Sequence, residues 1–191
     1  MMPLFSIILP CRDVAEHLPV ALAHLKSEAD QNWEVICVND GSTDQTLSVA
    51  MRAAQLDQRV RVIHQTRAGV DHACRTGLTA ALGKWVVFLT PQMMREPESL
   101  AVFLKGVQTH PWAGALRLTG AKLLGTCFRR DLMLNCDGFH IAGDESLAVD
   151  VALQISAKHA PVVALKTTQP RRSPRAPVRV QLHPTYEALA A

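Results

Sequence analysis

Strand-like and helix-like segments alternate four times between residues 5 and 89, and this alternation limits the chain to few folds. Each strand-like segment is a short apolar run, as expected for a strand that is buried on both faces. The runs span residues 5–9, 34–38, 60–63 and 85–89. The pattern predicts an α/β fold with a mostly parallel sheet and helices on both faces.

The segments between the runs have helical periodicity. Apolar side chains share one face in each of the first two segments, which are Leu18, Leu22 and Leu25, then Leu47, Ala50, Met51 and Ala54. Pairs with capping-box spacing precede both segments, and we expect them to begin the helices. These pairs are Asp13 with Glu16, and Ser42 with Gln45. A third helix is predicted over residues 70–82.

Beyond Pro97 the alternation loosens. We expect a helix over residues 98–109, an irregular stretch through residue 128, a helix over 144–156 and a strand over 162–165. From residue 169 the composition is rich in proline and arginine, which predicts an extended or disordered tail. The expected organisation is therefore one domain over residues 1–168 and a basic tail over 169–191.

Composition and charge exclude several classes of protein. Apolar residues make up 48% of the sequence and charged residues 19%, which is typical of a globular protein with a packed core. The apolar runs are much shorter than the roughly 20 residues that cross a bilayer, and no secretory signal opens the chain, so we expect a cytoplasmic protein. The net charge of +3 is too small to indicate nucleic-acid binding. We expect at most peripheral contact of the basic tail with the inner membrane face.

Several ligand-binding signatures are missing from the sequence. The five cysteines form no C-x-x-C pair, so they predict neither a disulfide framework nor a zinc site, and we expect them to be buried. No G-x-G-x-x-G turn follows the first strand, and no P-loop is present. In a parallel sheet, ligands bind outside the carboxyl ends of the strands. That edge is predicted to carry the loops at residues 10–13, 39–42 and 90–94.

Four sequence blocks resemble glycosyltransferase family 2 in order, spacing and residue type. They are FSIILPCRD at residues 5–13, VNDGSTD at 38–44, GVDHACRTG at 69–77 and GKWVVFL at 83–89. The likeness covers residues 4–100 and resumes at 128–132 and 138–153. The resemblance implies a GT-A (Rossmann-like) fold, a nucleoside diphosphate sugar as donor, and an inverting transferase of the hexosyl type, as in cell-surface polysaccharide synthesis.

The resemblance also implies a donor site, made of Pro10, Arg12, Asp13, Asp40, Ser42, Arg75, Thr90 and Gln92. Asp40 falls on the aspartate that reads the donor base, and a carboxylate there can accept a base N–H. The alternative is that Asp40 only organises the turn. Arg75 matches an arginine near the donor phosphates, to which a guanidinium can donate; the alternative is a solvated helix residue.

The loop after the first strand departs from the family pattern. Asp13 falls on the asparagine of a P-x-Y-N loop, and Arg12 replaces the tyrosine that stacks on the base. A guanidinium plane can also stack on a base, so a pocket with different selectivity is one interpretation. The other is that Asp13 is the N-cap of the first helix. A sugar-nucleotide pyrophosphorylase would instead need a glycine-rich basic loop at this point.

The metal-binding D-x-D motif of the family is replaced by Thr90-Pro91-Gln92. Mg²⁺ or Mn²⁺ is usual in the family, but neither Thr90 nor Gln92 supplies the anionic oxygen that these ions prefer, so we assign no metal ligand. In one interpretation cations neutralise the leaving diphosphate instead. The candidates are Arg75, Lys84, Arg95, Arg129 and Arg130. In the other, the chain is a donor-binding or partner-binding module with impaired catalysis.

The catalytic base implied by the resemblance is the acid of a G-D or G-E-D segment. Asp144 fits that position and Glu145 is the alternate. Inverting transfer needs such a carboxylate to take the proton from the attacking acceptor hydroxyl. The alternative is that both acids only cap a helix. The acceptor is not identified by the sequence, and a homodimer is left open.

Overall fold

The computed structural model of the chain describes residues 2–28, 30–92, 94, 99–118, 126–135 and 161–165. Strands and helices alternate through the first part of it, as β1 (Phe5–Cys11), α1 (Leu18–Ser27), β2 (Trp33–Asp40), α2 (Thr46–Leu56), β3 (Val60–Gln65), α3 (Val70–Ala80) and β4 (Trp85–Phe88). The later described elements are α4 (Ser99–Thr109), β5 (Ala115–Leu118), β6 (Thr126–Arg129), α5 (Arg130–Leu134) and β7 (Val162–Leu165).

The described strands form one sheet in the order β3-β2-β1-β4-β6-β5-β7. β3, β2, β1 and β4 pair in parallel, whereas β6 runs antiparallel to both β4 and β5, and β7 is parallel to β5. The strand order reverses between β1 and β4, which is the switch point where ligands bind in open α/β sheets. The prediction of a mostly parallel α/β sheet is confirmed.

Side chains on the two sheet faces enter two separate cores. One face of β1, with Ile7 and Leu9, packs with α1, α2 and α4. The other face, with Ile8, packs with α3 and α5. Helices therefore cover both faces, as predicted, because each central strand is apolar on both sides.

Helix α3 lies unusually close to the sheet. A Cβ at Gly77 would stand 2.4 Å from Cγ2 of Ile8, which is fully buried in β1. Only glycine allows this approach without displacing the strand or the helix. The close packing fixes where the start of α3 meets the carboxyl ends of β2 and β3.

Most predicted elements are present, with shifted ends. The strand predicted over residues 162–165 is confirmed, and α1 buries Leu18, Leu22 and Leu25 as expected. The stretch predicted to be irregular through residue 128 instead contains β5 and β6. The helix predicted over 144–156 and the tail over 169–191 lie outside the described residues. No described helix is long and apolar enough to span a bilayer.

Two helix details differ from the sequence predictions. In α2 the buried side chains are Thr46, Val49, Ala50 and Ala53, so Met51 is exposed rather than part of the packed face. Neither predicted capping box forms: α1 begins after His17 and α2 after Gln45, both without a side-chain cap. The residues expected to cap these helices bond between loops instead, as described below.

Candidate functional site

The carboxyl ends of β1, β2 and β4 meet at one edge of the sheet. Pro10 and Cys11 continue β1 to its end, and Asp40 ends β2. The N–H of Leu89, just past β4, donates to the carbonyl of Ile8 at 3.1 Å and holds the next residues beside β1. The edge therefore gathers the loops at residues 10–13, 39–42 and 90–92, as the sequence predicts.

Asp40 lies at the centre of this edge, and its carboxylate is held by the segment that leads from β3 to α3. Oδ1 accepts from Nε2 of Gln65 at 2.8 Å and from the N–H of Ala68 at 2.8 Å. Oδ2 accepts from the N–H of Gly69 at 2.9 Å. Gly69 has φ +95°, a conformation that side-chain-bearing residues rarely adopt, and so turns its N–H toward Asp40.

The Asp40 carboxyl is ionised although only 3% of the residue is exposed. Burial by itself raises its pKa. The hydrogen bonds from Ala68, Gln65 and Gly69, together with the charge of Arg12, outweigh burial and hold the pKa below its ordinary value. Asp40 is therefore a preorganised anion that acts only as a hydrogen-bond acceptor.

Asp13 joins the loop after β1 to the loop after β2. Its Oδ1 accepts from the N–H of Thr43 at 2.8 Å and of Asp44 at 3.4 Å, and its own N–H donates to Oγ of Ser42 at 3.1 Å. The Thr43 N–H is the main reason that the pKa of Asp13 lies below its ordinary value. Asp13 adopts φ +49°, which an aspartate tolerates better than most residues. Asp13 thus joins the two loops by hydrogen bonds. The alternative that Asp13 is the N-cap of α1 is wrong, because His17 holds that position.

The tie between the loops is reciprocal. Oδ2 of Asp44 accepts from the N–H of Ala15 at 3.1 Å, and Oγ1 of Thr46 accepts from the N–H of Val14 at 2.8 Å. Ser42 belongs to the same network, because its hydroxyl also donates to Oδ1 of Asn39. These contacts fix the loops against each other.

Arg12 places a positive charge beside Asp40. Its side chain is 41% exposed, and its Nε lies 3.7 Å from Oδ2 of Asp13. The same charge contributes to the lowered pKa of Asp40. The guanidinium is thus near the buried carboxylate yet open to solvent, where it can stack on or donate to a ligand.

Arg75 lies on the flank of α3. It is exposed on α3 and lines an open cavity of about 470 Å³ along the flank of that helix, with Ile63, His72, Thr76, Thr79 and Ala80. No hydrogen bond within the two tied loops involves its guanidinium. The same cavity is lined by His72 and Thr76, which contact Gln65, the partner of Asp40. The predicted contact of Arg75 with the donor phosphates stays a prediction.

The residues at this edge do not suit the divalent cation that the resemblance implies. Thr90 is half-buried, Gln92 is exposed, and both are neutral. The nearby carboxylates of Asp13 and Asp40 already accept hydrogen bonds from loop N–H groups. Within the described part of the chain, no three His, Cys, Asp or Glu side chains are grouped so that they could hold a metal ion. Mg²⁺ and Mn²⁺ prefer several anionic oxygens, and these residues do not offer them.

Three of the cations proposed to neutralise a leaving diphosphate lie at the wrong edge. Lys84 precedes β4, and its carbonyl accepts from the N–H of Arg130 at 3.0 Å. Arg129 pairs with Trp85, the first residue of β4, because β6 is antiparallel. Lys84, Arg129 and Arg130 are therefore at the amino edge, opposite Asp40, and their predicted role is wrong. Arg95, Asp144 and Glu145 lie outside the described residues.

The sequence interpretation missed the residues that hold Asp40. Gln65 is aligned with Asp40 in the parallel register of β2 and β3, and Thr76 donates to its Oε1 at 2.8 Å. The sequence did carry a signal for Gln65: it follows closely on the strand predicted over residues 60–63, and adjacent parallel strands bring their carboxyl ends together. The four described cysteines are free and buried, as predicted, and Cys136 lies outside the described residues.

Comparison with known proteins identifies the family of this chain. Residues 6–116 match the sequence model described as Glycosyl transferase family 2. The uncharacterized glycosyltransferase EpsJ of Bacillus subtilis is 37% identical over 89 residues, which are 47% of this chain and 26% of EpsJ. A PGL/p-HBAD biosynthesis glycosyltransferase of Mycobacterium tuberculosis is 36% identical over 101 residues, which are 52% of this chain and 40% of that protein. The chain thus spans well under half the length of these relatives.

A solved structure has a similar fold. The mannosyltransferase PcManGT from Pyrobaculum calidifontis, in complex with GDP-Man and Mn²⁺, has a TM-score of 0.69. It is 20% identical, and the match covers 91% of this chain and 59% of that one. At this identity the likeness concerns the fold alone, and it confirms the predicted GT-A architecture.

Proposed function

Since the chain belongs to glycosyl transferase family 2, we propose that it binds a nucleoside diphosphate sugar at the carboxyl edge of its sheet and transfers the sugar to an acceptor hydroxyl. Transfer proceeds with inversion in this proposal. Asp144 takes the proton from the attacking hydroxyl, and Glu145 is the alternate base. The setting that we propose is cell-surface polysaccharide or glycolipid synthesis, with the acceptor unassigned; the mycobacterial relative is named a PGL/p-HBAD biosynthesis glycosyltransferase.

The observation that carries the proposal is the preorganised carboxylate of Asp40. Three N–H donors fix it at the end of β2, next to the switch point between β1 and β4. A base N–H of the donor nucleotide donates to Oδ2 of Asp40, and Arg12 lies against the base. A charge-assisted hydrogen bond of this kind contributes about 1.5–3 kcal/mol.

A second candidate function is a donor-binding module without turnover. Thr90 and Gln92 favour it, because they offer no anionic oxygen where the family pattern has its metal-binding acids. The two candidates share the nucleotide site and differ in chemistry. Release of nucleoside diphosphate from a bound sugar donor, lost in Asp144→Asn, distinguishes the enzyme from the module.

Nucleotide binding tests the shared site. We expect isothermal titration calorimetry to detect binding of at least one nucleoside diphosphate, and Asp40→Asn to weaken it at least about tenfold. The asparagine keeps one acceptor oxygen but places an NH₂ donor where the carboxylate presents Oδ2 to the base.

The matched control is Asp131→Asn, which makes the same chemical change at the amino edge. Asp131 is exposed and pairs with Arg129, so its replacement leaves the nucleotide affinity unchanged. Binding of UDP and GDP that is equally strong in wild type and in Asp40→Asn would place the nucleotide elsewhere and refute the proposed site.

A further inference from the structure

The carboxylate of Asp40 has one acceptor position left. A carboxylate offers about four lone-pair sites, two on each oxygen. Oδ1 receives both Gln65 and Ala68, each at 2.8 Å, and Oδ2 receives Gly69 alone at 2.9 Å. Among the residues that the structure describes, Oδ1 therefore receives two donors and Oδ2 one, so Oδ2 is the oxygen with room for a further N–H.

Contacts at both ends of the side-chain amide orient Gln65. The hydroxyl of Thr76 donates to Oε1 of Gln65 at 2.8 Å, while Nε2 of the same amide donates to Asp40. Nδ1 of His72 also lies 3.2 Å from Oε1. A flipped amide would point Oε1 at the anionic carboxylate of Asp40, which offers no donor. Gln65 is thus locked as a donor toward Oδ1 of Asp40.

We propose that Gln65 is a specificity-determining residue: by filling Oδ1 it leaves Asp40 able to accept a single base N–H, which selects a uracil or thymine nucleotide over a guanine nucleotide. The inference rests on the proposed function, since it concerns the base of the donor. It deepens that function by naming the class of nucleotide and a residue that selects it.

The chemistry of the base edges gives the selection its direction. Uracil and thymine present one ring N–H between two carbonyl oxygens, so a single acceptor on Asp40 satisfies their only donor. Guanine presents two adjacent N–H donors, which match two carboxylate oxygens, and here the second donor would meet the filled Oδ1. Adenine and cytosine turn a ring-nitrogen lone pair toward the carboxylate, and two acceptors repel each other.

Titration of nucleoside diphosphates tests the inference. We expect UDP and TDP to bind wild type at least about tenfold more tightly than GDP, and CDP and ADP to bind weakly, because an unsatisfied buried donor costs roughly this much. In Gln65→Met, Oδ1 regains an acceptor site, so the ratio of GDP to UDP dissociation constants falls by about tenfold, mainly through tighter GDP binding.

A pair of helix variants separates selection from folding. Thr76→Val removes one of the two contacts to Oε1 of Gln65, the other being that of His72, and so narrows the UDP-to-GDP preference in the same direction but by less than Gln65→Met. Thr79→Val removes a hydroxyl one turn later that bonds only the carbonyl of Arg75, and it leaves the preference unchanged. Circular dichroism shows that each variant is folded before it is titrated.

Three outcomes would count against the inference. Equal affinity of wild type for UDP and GDP overturns it and leaves the proposed nucleotide site in place. A preference that is the same in Gln65→Met and Thr76→Val as in wild type shows that Gln65 does not select the base. Binding of no nucleoside diphosphate overturns the proposed function and the inference together.

Discussion

Backbone N–H groups hold the carboxylates at the carboxyl edge. Asp13 accepts from Thr43 and Asp44, and Asp40 accepts from Ala68 and Gly69. Both carboxyls have lowered pKa values and stay ionised at neutral pH. Their lone pairs are nevertheless largely used within the loops. A divalent cation would need further anionic oxygens. Substitutions at Thr90 and Gln92, after β4, can supply them.

Restoring acids after β4 is therefore expected to create metal affinity. In the double variant Thr90→Asp with Gln92→Asp, two carboxylates face the edge where wild type has a hydroxyl and an amide. We expect Mn²⁺ to bind the UDP complex of this variant at least about tenfold more tightly than the UDP complex of wild type, as two hard anionic ligands favour this ion. Electron paramagnetic resonance of free Mn²⁺ measures the difference.

The matched control is Thr90→Asn with Gln92→Asn, which changes the same positions without adding charge. It is expected to bind Mn²⁺ as wild type does. Tight Mn²⁺ binding by wild type in the presence of UDP would contradict the reasoning, because it would require ligands other than Thr90 and Gln92.

At the scale of elements, apolar runs in the sequence predict the central strands β1 to β4. They do not predict β5 and β6, whose strand conformation depends on pairing with neighbouring strands. β1 to β4 are apolar on both faces, so their sequence alone marks them. β5 reads ALRL and β6 reads TCFR, which are too short and too mixed to be distinguished from a loop. They are strands because β6 fills the space between β4 and β5 with antiparallel hydrogen bonds. The capping boxes do not form because Asp13 and Ser42 bond to loop residues instead.

The buried carboxylate of Glu34 joins β1, β2, β3 and the loop before β4 at the amino edge of the sheet. Oε1 of Glu34, on β2, accepts from the hydroxyl of Ser6 and from the N–H of Leu82, both at 2.6 Å. Oε2 accepts from Arg61 at 2.8 Å, and the N–H of Gly83 donates to Oγ of Ser6 at 2.7 Å. Burial raises the pKa of Glu34, but these donors outweigh it and hold the pKa below its ordinary value.

The stability contributed by Glu34 is expected to depend on pH. Its pKa is lowered in the folded state, so the contribution is complete above the unfolded pKa and is lost as pH falls through the folded pKa. We expect Glu34→Gln to reduce the free energy of unfolding at pH 7 by about 2 kcal/mol, and the difference from wild type to shrink toward pH 3. Urea unfolding at several pH values measures it. A difference that is constant with pH would show that the charge of Glu34 contributes nothing.

At the scale of the whole molecule, the direction of each strand decides which charges reach the site. The order of blocks in the sequence locates Arg12, Asp13, Asp40 and Ser42 correctly, since all follow parallel strands. Lys84 and Arg129 were misplaced, because residues that precede a parallel strand or end an antiparallel one lie at the amino edge. The sequence gives less for Arg75, because it lies on a helix and only packing shows which flank faces the loops. The contacts of Gln65 and Thr76 needed side-chain geometry.

Removing a cation is expected to affect nucleotide affinity differently at the two edges of the sheet. From Lys84 to Thr90 the chain advances roughly 20 Å along β4, at about 3.3 Å per residue. This distance exceeds the Debye length of about 8 Å at physiological ionic strength, so Lys84 and Arg129 are screened from a diphosphate at the carboxyl edge. We expect Lys84→Ala and Arg129→Ala to change UDP affinity less than about twofold, and Arg12→Ala to weaken it about tenfold. Calorimetry at low and physiological salt measures all three, and a loss in Lys84→Ala equal to that in Arg12→Ala would mean that the nucleotide does not bind at the edge formed by Asp40.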